Sequence, residues 1–327
     1  MLYSGKDLRK LIIPLIIEQI LAIAVGMADT IMVSAAGEAA VSGVSLVDTV
    51  NILLINVFSA LATGGAVVSG HFLGKKKRED ACKSAWQILL FATLLAFVIS
   101  VIFITAHDPL LRLMFGKIED DVMKASKTYL IITTYSFVAL AIYNSCAALF
   151  RAMNESKVTM WVSLLMNVIN VVGNAICIYG LHMGVAGVAI PTTISRYVAA
   201  VVIFLLMFQT KKEINLCGQI TWKFNGSLIK KILYIAIPNG LENSMFQLGK
   251  ILVMSAVATM GTSAIAANAV TGTIANWNNL PGFAINLAIV SVVSVCVGAG
   301  RYDQARYYTR RLCRDAMIGI GCLSIIL

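Results

Sequence analysis

The feature that most constrains this chain is a series of apolar stretches, each long enough to cross a lipid bilayer as a helix. A helix needs roughly 20 apolar residues to cross a hydrocarbon core about 30 Å thick. Stretches of this kind fall near residues 11–34, 50–73, 82–106, 126–150, 158–180, 184–208, 228–257 and 272–298, and a ninth begins near residue 311. None of them alternates with the period of two that marks the strands of a membrane barrel. We therefore predict an all-α integral membrane protein, a bundle of eight to nine spans.

The composition agrees with a membrane protein. Hydrophobic residues make up 59% of the chain and charged residues 13%, and the mean hydropathy is +0.84. A soluble domain is about 25% charged, so the composition excludes intrinsic disorder and an ordinary water-soluble enzyme. The seven cysteines are scattered and form no C-x-x-C pair, so we expect neither a disulfide framework nor a metal site from them.

The basic residues predict the orientation of the spans. Twenty of the 26 Lys and Arg residues lie in the N-terminal segment and in the connections after spans two, four, six and eight, whereas four lie in the alternate connections. Basic residues favour the cytoplasmic side of a membrane. We therefore expect a multi-pass protein of the cytoplasmic (cell) membrane with a cytoplasmic N-terminus. The net charge of +10 follows from this bias and does not indicate binding of nucleic acid.

The chain also contains an internal repeat with an offset of 224 residues. Pro14, Glu18, Gly37, Gly74, Glu79 and Ala81 match Pro238, Glu242, Gly261, Gly298, Asp303 and Ala305. Six spans per unit predict two parallel repeats: a first bundle over residues 1–210, a cytoplasmic linker over 211–227 and a partial second bundle over 228–327. Two full copies would exceed 327 residues, so we expect the last three spans and most of the ninth to be absent through truncation.

Five ionisable residues lie inside the predicted spans and are candidates for function, because a charge is costly in lipid. They are Glu18 and Asp29 in span one, Arg196 in span six, and Glu242 and Lys250 in span seven. A carboxyl group at that depth must be protonated or neutralised by a cation, and either change would switch the local charge. Glu18 and Asp29 are eleven residues apart, which places them on one helical face. Glu18 also lies near the cytoplasmic end, where an interfacial role is the alternative.

Two spans carry polar stripes at helical spacing. In span five the stripe consists of Ser163, Asn167, Asn170 and Asn174, and in span seven of Asn243, Gln247 and Lys250. Hydrogen bonding between helices is the alternative role of any single amide. Pro14 and Pro238 are expected in the first turns of their helices, where proline is tolerated.

No sequence motif indicates catalysis. The chain has no G-x-x-x-x-G-K-[ST], no G-x-S-x-G and no spaced His or Cys ligand set. We therefore expect a protein that is not an enzyme and has no cofactor.

Three segments resemble one known family. IPLIIEQILAIAVGMADTIMVS, in which Asp29 follows Pro14 by fifteen residues, resembles the first span of the multidrug and toxic compound extrusion (MATE) family. IPNGLENSMFQLGKILV is similar to its seventh span. LFRAMNESKVTMWVSLLMNVINVVGNAICIYG, continued by MGVAGVAIPTTISR, is similar to its fourth-to-sixth-span signature. The resemblance implies a cation-coupled antiporter in which two six-span bundles surround a cleft and export amphipathic, often cationic drugs by alternating access. It further implies Na⁺ or H⁺ as the coupling ion, small organic cations and membrane lipid as partners, and a monomer.

The resemblance also assigns roles to individual residues. Asp29 matches the family's coupling carboxyl and is a possible Na⁺ site, and Asn170 and Asn174 match an Asn and an Asp of span five, so one acid is replaced by an amide here. Phe246 stands where a second branch of the family has a glutamate. We predict that Asp29, Asn170 and Asn174 converge and couple the cation. The predicted cleft residues are Glu18, Gln19, Asn167, Arg196, Glu242, Asn243, Gln247 and Lys250.

Two other functions remain open from the sequence. A lipid-linked oligosaccharide flippase of the related superfamily would line its cleft with several basic residues for pyrophosphate, whereas Arg196 and Lys250 are the basic residues within the predicted spans. The other alternative is a channel or a receptor-like membrane protein, and a channel would conduct ions without a counter-gradient.

Overall fold

The computed structural model describes residues 2–115, 119–210, 212–218, 220–258, 268, 271–272 and 274–326. In these ranges the chain is helical and has no β-strand. The principal helices are α1 (Gly5–Ser34), α2 (Glu38–Gly74), α3 (Arg78–Thr105), α4 (His107–Phe115), α5 (Asp120–Thr134), α6 (Phe137–Ala152), α7 (Ser156–Ala175), α8 (Ala186–Leu206), α9 (Gly226–Ala258), α10 (Leu280–Gly298) and α11 (Tyr302–Ile326). A π-helical turn, Ile176–Gly180, follows α7.

The helices are long enough for a membrane bundle, and the predicted all-α fold is confirmed. Among the residues that the structure describes, six helices are long and apolar enough to cross a bilayer, namely α1, α2, α3, α7 with its π-turn, α8 and α10. A seventh span results if the bent pair α5 and α6 is counted as one. Helix α9 occupies the predicted seventh span, but Asn239, Glu242, Asn243 and Gln247 lower its hydropathy. The chain is a multi-pass membrane protein.

The predicted span at 126–150 is wrong in one respect, because it is not one continuous helix. Helices α5 and α6 meet at an angle of 50°. The break falls at Tyr135 and Ser136, directly after two threonines whose hydroxyls donate to backbone carbonyls one turn earlier. The Ser136 hydroxyl likewise donates to the carbonyl of Thr133 at 2.6 Å. Such local bonds compete with the helical ladder and favour a bend.

Other helix boundaries also differ from the apolar stretches. Helix α2 begins at Glu38 rather than near residue 50, and α11 begins at Tyr302 rather than 311. Helix α10 begins at Leu280 after a turn at Asn279, and the described residues before that turn, 271–272 and 274–278, are helical as well. A run of apolar residues marks only the part of a helix that lies in lipid, and a helix continues beyond it where the flanking residues permit.

The expectation that Pro14 and Pro238 lie in first turns is wrong. Helix α1 begins at Gly5, because Ser4 and Asp7 form a capping box, so Pro14 lies well inside it. Proline removes the N–H that would bond the carbonyl of Lys10. The hydroxyl of Ser156 replaces it, donating to the carbonyls of Lys10 at 3.2 Å and Leu11 at 2.8 Å. Pro238 lies inside α9 in the same way.

The centre of the bundle is α2, which packs against α3, α5, α6, α9 and α10. Its end crosses the end of α10 so closely that only glycine fits. A Cβ on Gly74 would lie 2.1 Å from the carbonyl oxygen of Val295, and one on Gly298 would lie 2.2 Å from that of His71. Gly74 matches Gly298 in the 224-residue repeat, and His71 matches Val295. The two contacts are therefore reciprocal, as a two-fold relation between the repeats requires.

The segment after α8 lies against α3. The Arg78 guanidinium donates to the carbonyls of Thr210 and Glu213. Farther along, the Trp86 indole donates to the carbonyl of Thr221 at 2.7 Å, and Gln87 bonds the backbone of Lys223 and Asn225. The segment that leads to α9 is thus held against α3 by hydrogen bonds along its length.

Candidate functional site

The structure brings Asp29, Asn170 and Asn174 together between α1, α7 and α8. The Asn174 side-chain amide donates to Asp29 Oδ1 at 2.8 Å and lies 3.4 Å from Asn170 Oδ1. Asn170 in turn donates to Thr192 Oγ1 at 2.9 Å. Asn174 is fully buried and Asn170 is 5% exposed. The spacing in span five therefore places both amides on the inner face of α7, opposite the carboxyl of α1.

Close packing of α7 on α8 makes this cluster possible. A Cβ on Gly173 would lie 2.6 Å from Cβ of Pro191, and one on Gly187 would lie 3.2 Å from the backbone of Cys177. Two glycines thus allow the helices to approach beside Asn174. Helix α7 then passes into the π-turn at Ile176, a departure from α-helical geometry that is frequent at functional sites.

A second carboxyl group, Asp48 on α2, lies in the same part of the bundle. Its Oδ1 accepts hydrogen bonds from Asn51 Nδ2 at 3.3 Å and from the Tyr129 hydroxyl at 3.2 Å. Arg196 on α8 interacts electrostatically with both Asp29 and Asp48, and Asp29 interacts with Asp48. Two acids and one base from three helices therefore share one region.

Several buried polar atoms of this region have no hydrogen-bond partner among the residues that the structure describes. They include Oδ1 of Asn174, Oδ1 of Asn51 and Nδ2 of Asn167. Each of the two oxygens belongs to an amide whose nitrogen donates to an aspartate. Carboxylate and amide oxygens are the donors that hard cations prefer. The set around Asp29 is thus suited to a proton or a small cation.

Glu18 lies in a different cluster from Asp29. Its Oε1 is 3.4 Å from Arg151 Nη1, and its Oε2 accepts a bond of 2.9 Å from the Thr159 hydroxyl. Glu18 is 8% exposed, and it joins α1 to α6 and α7. The sequence placed Arg151 in a connection, whereas it lies in the last turn of α6. The geometry gives Glu18 a packing role rather than a position beside Asp29.

The remaining predicted cleft residues are more dispersed. Asn167 is buried on the same face of α7 as Asn170, and Gln19 is half-buried on α1. On α9, Asn243 donates to Asn239 Oδ1, Glu242 is exposed, and Gln247 is half-buried. Lys250 is exposed and lies 5.0 Å from the ring centre of Phe246. The described contacts do not join these α9 residues to Asp29, and their role in a cleft stays a prediction.

Sequence reasoning missed Thr192 and Asp48. Thr192 stands one residue after Pro191 in an apolar helix, and a single threonine carries little signal. The sequence-based prediction assigned Asp48 to a connection, because span two was predicted to begin near residue 50. The signal that would have found it is helical spacing, since Asp48 lies three residues before Asn51.

A family model matches this architecture. The model described as MatE matches residues 14–176 and 238–327, which is more than half of the chain and includes Asp29, Asn170, Asn174 and Asp48. The chain belongs to the MatE family. The matched segments also contain both prolines, Pro14 and Pro238, at equivalent places in the repeat.

Relatives within the family are moderately similar. An uncharacterized transporter, YisQ, of Bacillus subtilis is 28% identical over 89% of this chain and 64% of its own length. A probable multidrug resistance protein, NorM, of Thermotoga maritima is 25% identical over 91% of this chain and 64% of its own length. The MatE chain thus spans about two thirds of the length of these relatives.

Solved structures share the fold. An outward-facing multidrug resistance MATE family transporter superimposes with a TM-score of 0.88 at 21% identity, over 96% of this chain and 69% of that one. A transporter of the MOP superfamily from Pyrococcus furiosus, described as having a binding pocket of reverse polarity, superimposes with a TM-score of 0.86 at 21% identity. The agreement extends over both sequence repeats of this MatE protein.

Proposed function

We propose that this protein takes part in the export of amphipathic organic cations across the cell membrane, coupled to the entry of Na⁺ or H⁺. The observation that carries the proposal is the Asp29 cluster, in which a carboxyl group inside a membrane span accepts a hydrogen bond from the Asn174 amide, which in turn contacts Asn170. A carboxylate held in this way is stabilised by a bound cation or by protonation. The names of several relatives, probable multidrug resistance proteins, support organic compounds as substrates.

In the mechanism, Asp29 alternates between a charged and a neutral state. The free carboxylate attracts an organic cation that has entered from the cytoplasm. A proton or Na⁺ that arrives from outside neutralises Asp29 and displaces the organic cation. Asn170 and Asn174 then supply the oxygens and N–H groups that stabilise each state.

Movement of the two repeat units would carry the site from one side of the membrane to the other. We assign the first unit to residues 1–210 and the second to 228–327, with a cytoplasmic N-terminus. The reciprocal contacts of Gly74 and Gly298 support an axis along the membrane normal. The units would rock about this axis, and the segment attached to α3 would move with the first unit.

The charge of the site favours a cationic substrate over the pyrophosphate of a lipid-linked oligosaccharide. Arg196 interacts electrostatically with Asp29 and with a second acid, Asp48. Two carboxyl groups against one guanidinium would repel a pyrophosphate. We therefore place the flippase second.

Everted membrane vesicles that contain the chain provide the test. A pH gradient or a Na⁺ gradient is imposed in turn, and uptake of ethidium is followed by fluorescence. We expect uptake that depends on one of the two gradients and that Asp29→Asn abolishes. Gradient-independent uptake, or an Asp29→Asn protein as active as the parent, would contradict the proposal. Asp108→Asn, which removes an acid from α4 instead, is the matched control.

A further inference from the structure

Two carboxyl–amide pairs of the same design lie near Arg196. In the first, Asn174 Nδ2 donates to Asp29 Oδ1, and in the second, Asn51 Nδ2 donates to Asp48 Oδ1. Both amides are at least nine-tenths buried. In both amides the Oδ1 atom accepts no hydrogen bond from any described residue. The second pair therefore has the same unused capacity to accept a proton or a cation as the first.

The described hydrogen bond of Arg196 goes to neither carboxyl–amide pair. Its Nη1 donates to the neutral hydroxyl of Ser136 at 2.8 Å, at the break between α5 and α6. Within the described residues it makes no ion pair shorter than 4 Å with Asp29 or Asp48, although it interacts electrostatically with both. A guanidinium has five N–H donors, so it can offset the charge of a nearby carboxyl group and still donate hydrogen bonds to neutral groups such as Ser136.

The net charge of the cluster follows from these three groups. The side chains that face them from α2, α5, α7 and α8 are neutral: Asn51, Tyr129, Ser136, Asn170, Asn174 and Thr192. Two ionised carboxyl groups and one guanidinium leave a charge of −1. In a weakly polar interior, an uncompensated charge is expensive. One monovalent cation neutralises the cluster, whereas a divalent cation leaves it positive.

We infer that Asp48 is a second charged residue of the Asp29 site and that its negative charge offsets the positive charge of Arg196. The site therefore selects organic cations carrying a single positive charge. The inference rests on the proposed function, because it specifies the substrate class of the same site. Without Asp48, the guanidinium would neutralise Asp29 and the site would attract no cation. Asp48 is thus a specificity-determining residue that acts through charge.

Binding of two related dyes tests the inference. Ethidium and propidium share a phenanthridinium ring, but ethidium carries one positive charge and propidium two. Their dissociation constants are measured by fluorescence titration of the purified chain in detergent, at fixed pH and salt. A unit charge about 10 Å away, at an effective dielectric constant of about 20, changes the affinity for a monovalent cation by more than tenfold.

The expected affinities follow the net charge. The parent, at −1, prefers ethidium. In Asp48→Asn the net charge of the cluster is zero, and the affinity for ethidium should fall by about tenfold or more. In Arg196→Gln the net charge of the cluster is −2, and the affinity for propidium relative to ethidium should rise by about tenfold. The double variant Asp48→Asn, Arg196→Gln returns to −1, and its ethidium affinity returns to within about threefold of the parent.

Rescue separates a charge effect from a structural one. If Asp48 only supported the fold, the second substitution would not restore binding, and that result would overturn the inference. An unchanged ethidium affinity in Asp48→Asn would also overturn it. Should the double variant fail to fold, Asp48→Glu takes its place, and loss of ethidium binding in that charged variant would count against the inference.

A parallel Asp29→Asn titration distinguishes the two proposals. If Asp29→Asn binds ethidium like the parent, the proposed function itself fails. If Asp29→Asn loses binding and Asp48→Asn does not, only the inference about Asp48 fails. Asp108→Asn, whose carboxyl group lies on α4 beside Lys127, controls for the loss of one acid elsewhere.

Discussion

Replacement of Asn174 by aspartate would place a second carboxyl group directly beside Asp29. The Asn174 Nδ2 atom lies 2.8 Å from Asp29 Oδ1, so the new carboxylate would stand at about the same contact distance. Two unit charges about 4 Å apart repel by about 4 kcal/mol at an effective dielectric constant of about 20. A bound proton or Na⁺ relieves this repulsion. Because about 1.4 kcal/mol corresponds to a tenfold change, Asn174→Asp is expected to bind the small cation up to about a thousandfold more tightly.

Thermal unfolding measures this change, because a ligand that binds the native state raises its stability. The unfolding midpoint is followed against NaCl at constant ionic strength, with choline as the replacement cation, and against pH. In Asn174→Asp the half-maximal shift should occur at a much lower cation concentration than in the parent. Asn243→Asp, which adds an acid on α9, is the control and should behave like the parent. An unchanged or weaker cation response in Asn174→Asp would refute the reasoning.

Three further predictions concern stability. Gly74→Ala should lower the free energy of unfolding by about 1–3 kcal/mol, since a Cβ would lie 2.1 Å from a carbonyl oxygen of α10. Gly249→Ala, with open space around it, is the control and should be neutral or slightly stabilising. Equal effects of the two substitutions in denaturant titrations would contradict the close crossing. Glu18→Ala should lower stability by about 3–5 kcal/mol because it leaves the largely buried Arg151 side chain unpaired, and Glu18→Gln should lower it by less. A neutral Glu18→Ala in the same titrations would disprove the ion pair. The Lys127 ammonium holds the pKa of Asp108 below its usual value by a hydrogen bond. Their pair therefore stabilises the fold above about pH 4, and this contribution disappears as the pH falls through the lower folded-state pKa. The difference between the parent and Lys127→Gln should vanish in acid, and a difference that grows there would contradict the assignment.

The sequence was sufficient to predict the helices because lipid imposes one strong requirement. A backbone in hydrocarbon must bond to itself, so a run of about 20 apolar residues predicts a helix almost regardless of its neighbours. The buried face of α7 was predictable for a similar reason. Asn167, Asn170 and Asn174 recur at helical spacing, and amides are too polar to face lipid.

Features that depend on other parts of the chain were not predictable. Pro14 was expected in a first turn because hydropathy places the start of span one near residue 11, whereas the local Ser4–Asp7 capping box starts α1 at Gly5. What the local sequence could not reveal is that Ser156, from another helix, would donate to the carbonyl of Lys10. Asp48 was overlooked because hydropathy locates the lipid-facing part of α2 and not its true start. In the same way, the partners of Glu18 come from two distant helices, and one of them, Arg151, lies where hydropathy predicted a connection.

The central claim is that a small cation and an organic cation exchange at Asp29. The most direct test is to measure the small cations that are released when an organic cation binds. Tetraphenylphosphonium is added to the purified chain in weakly buffered detergent solution, and protons are followed with a pH electrode or Na⁺ with a selective electrode. We predict release that approaches one small cation for each organic cation bound, and none from Asp29→Asn. Binding without release, or the same release from Asp29→Asn, would contradict exchange at this carboxyl group.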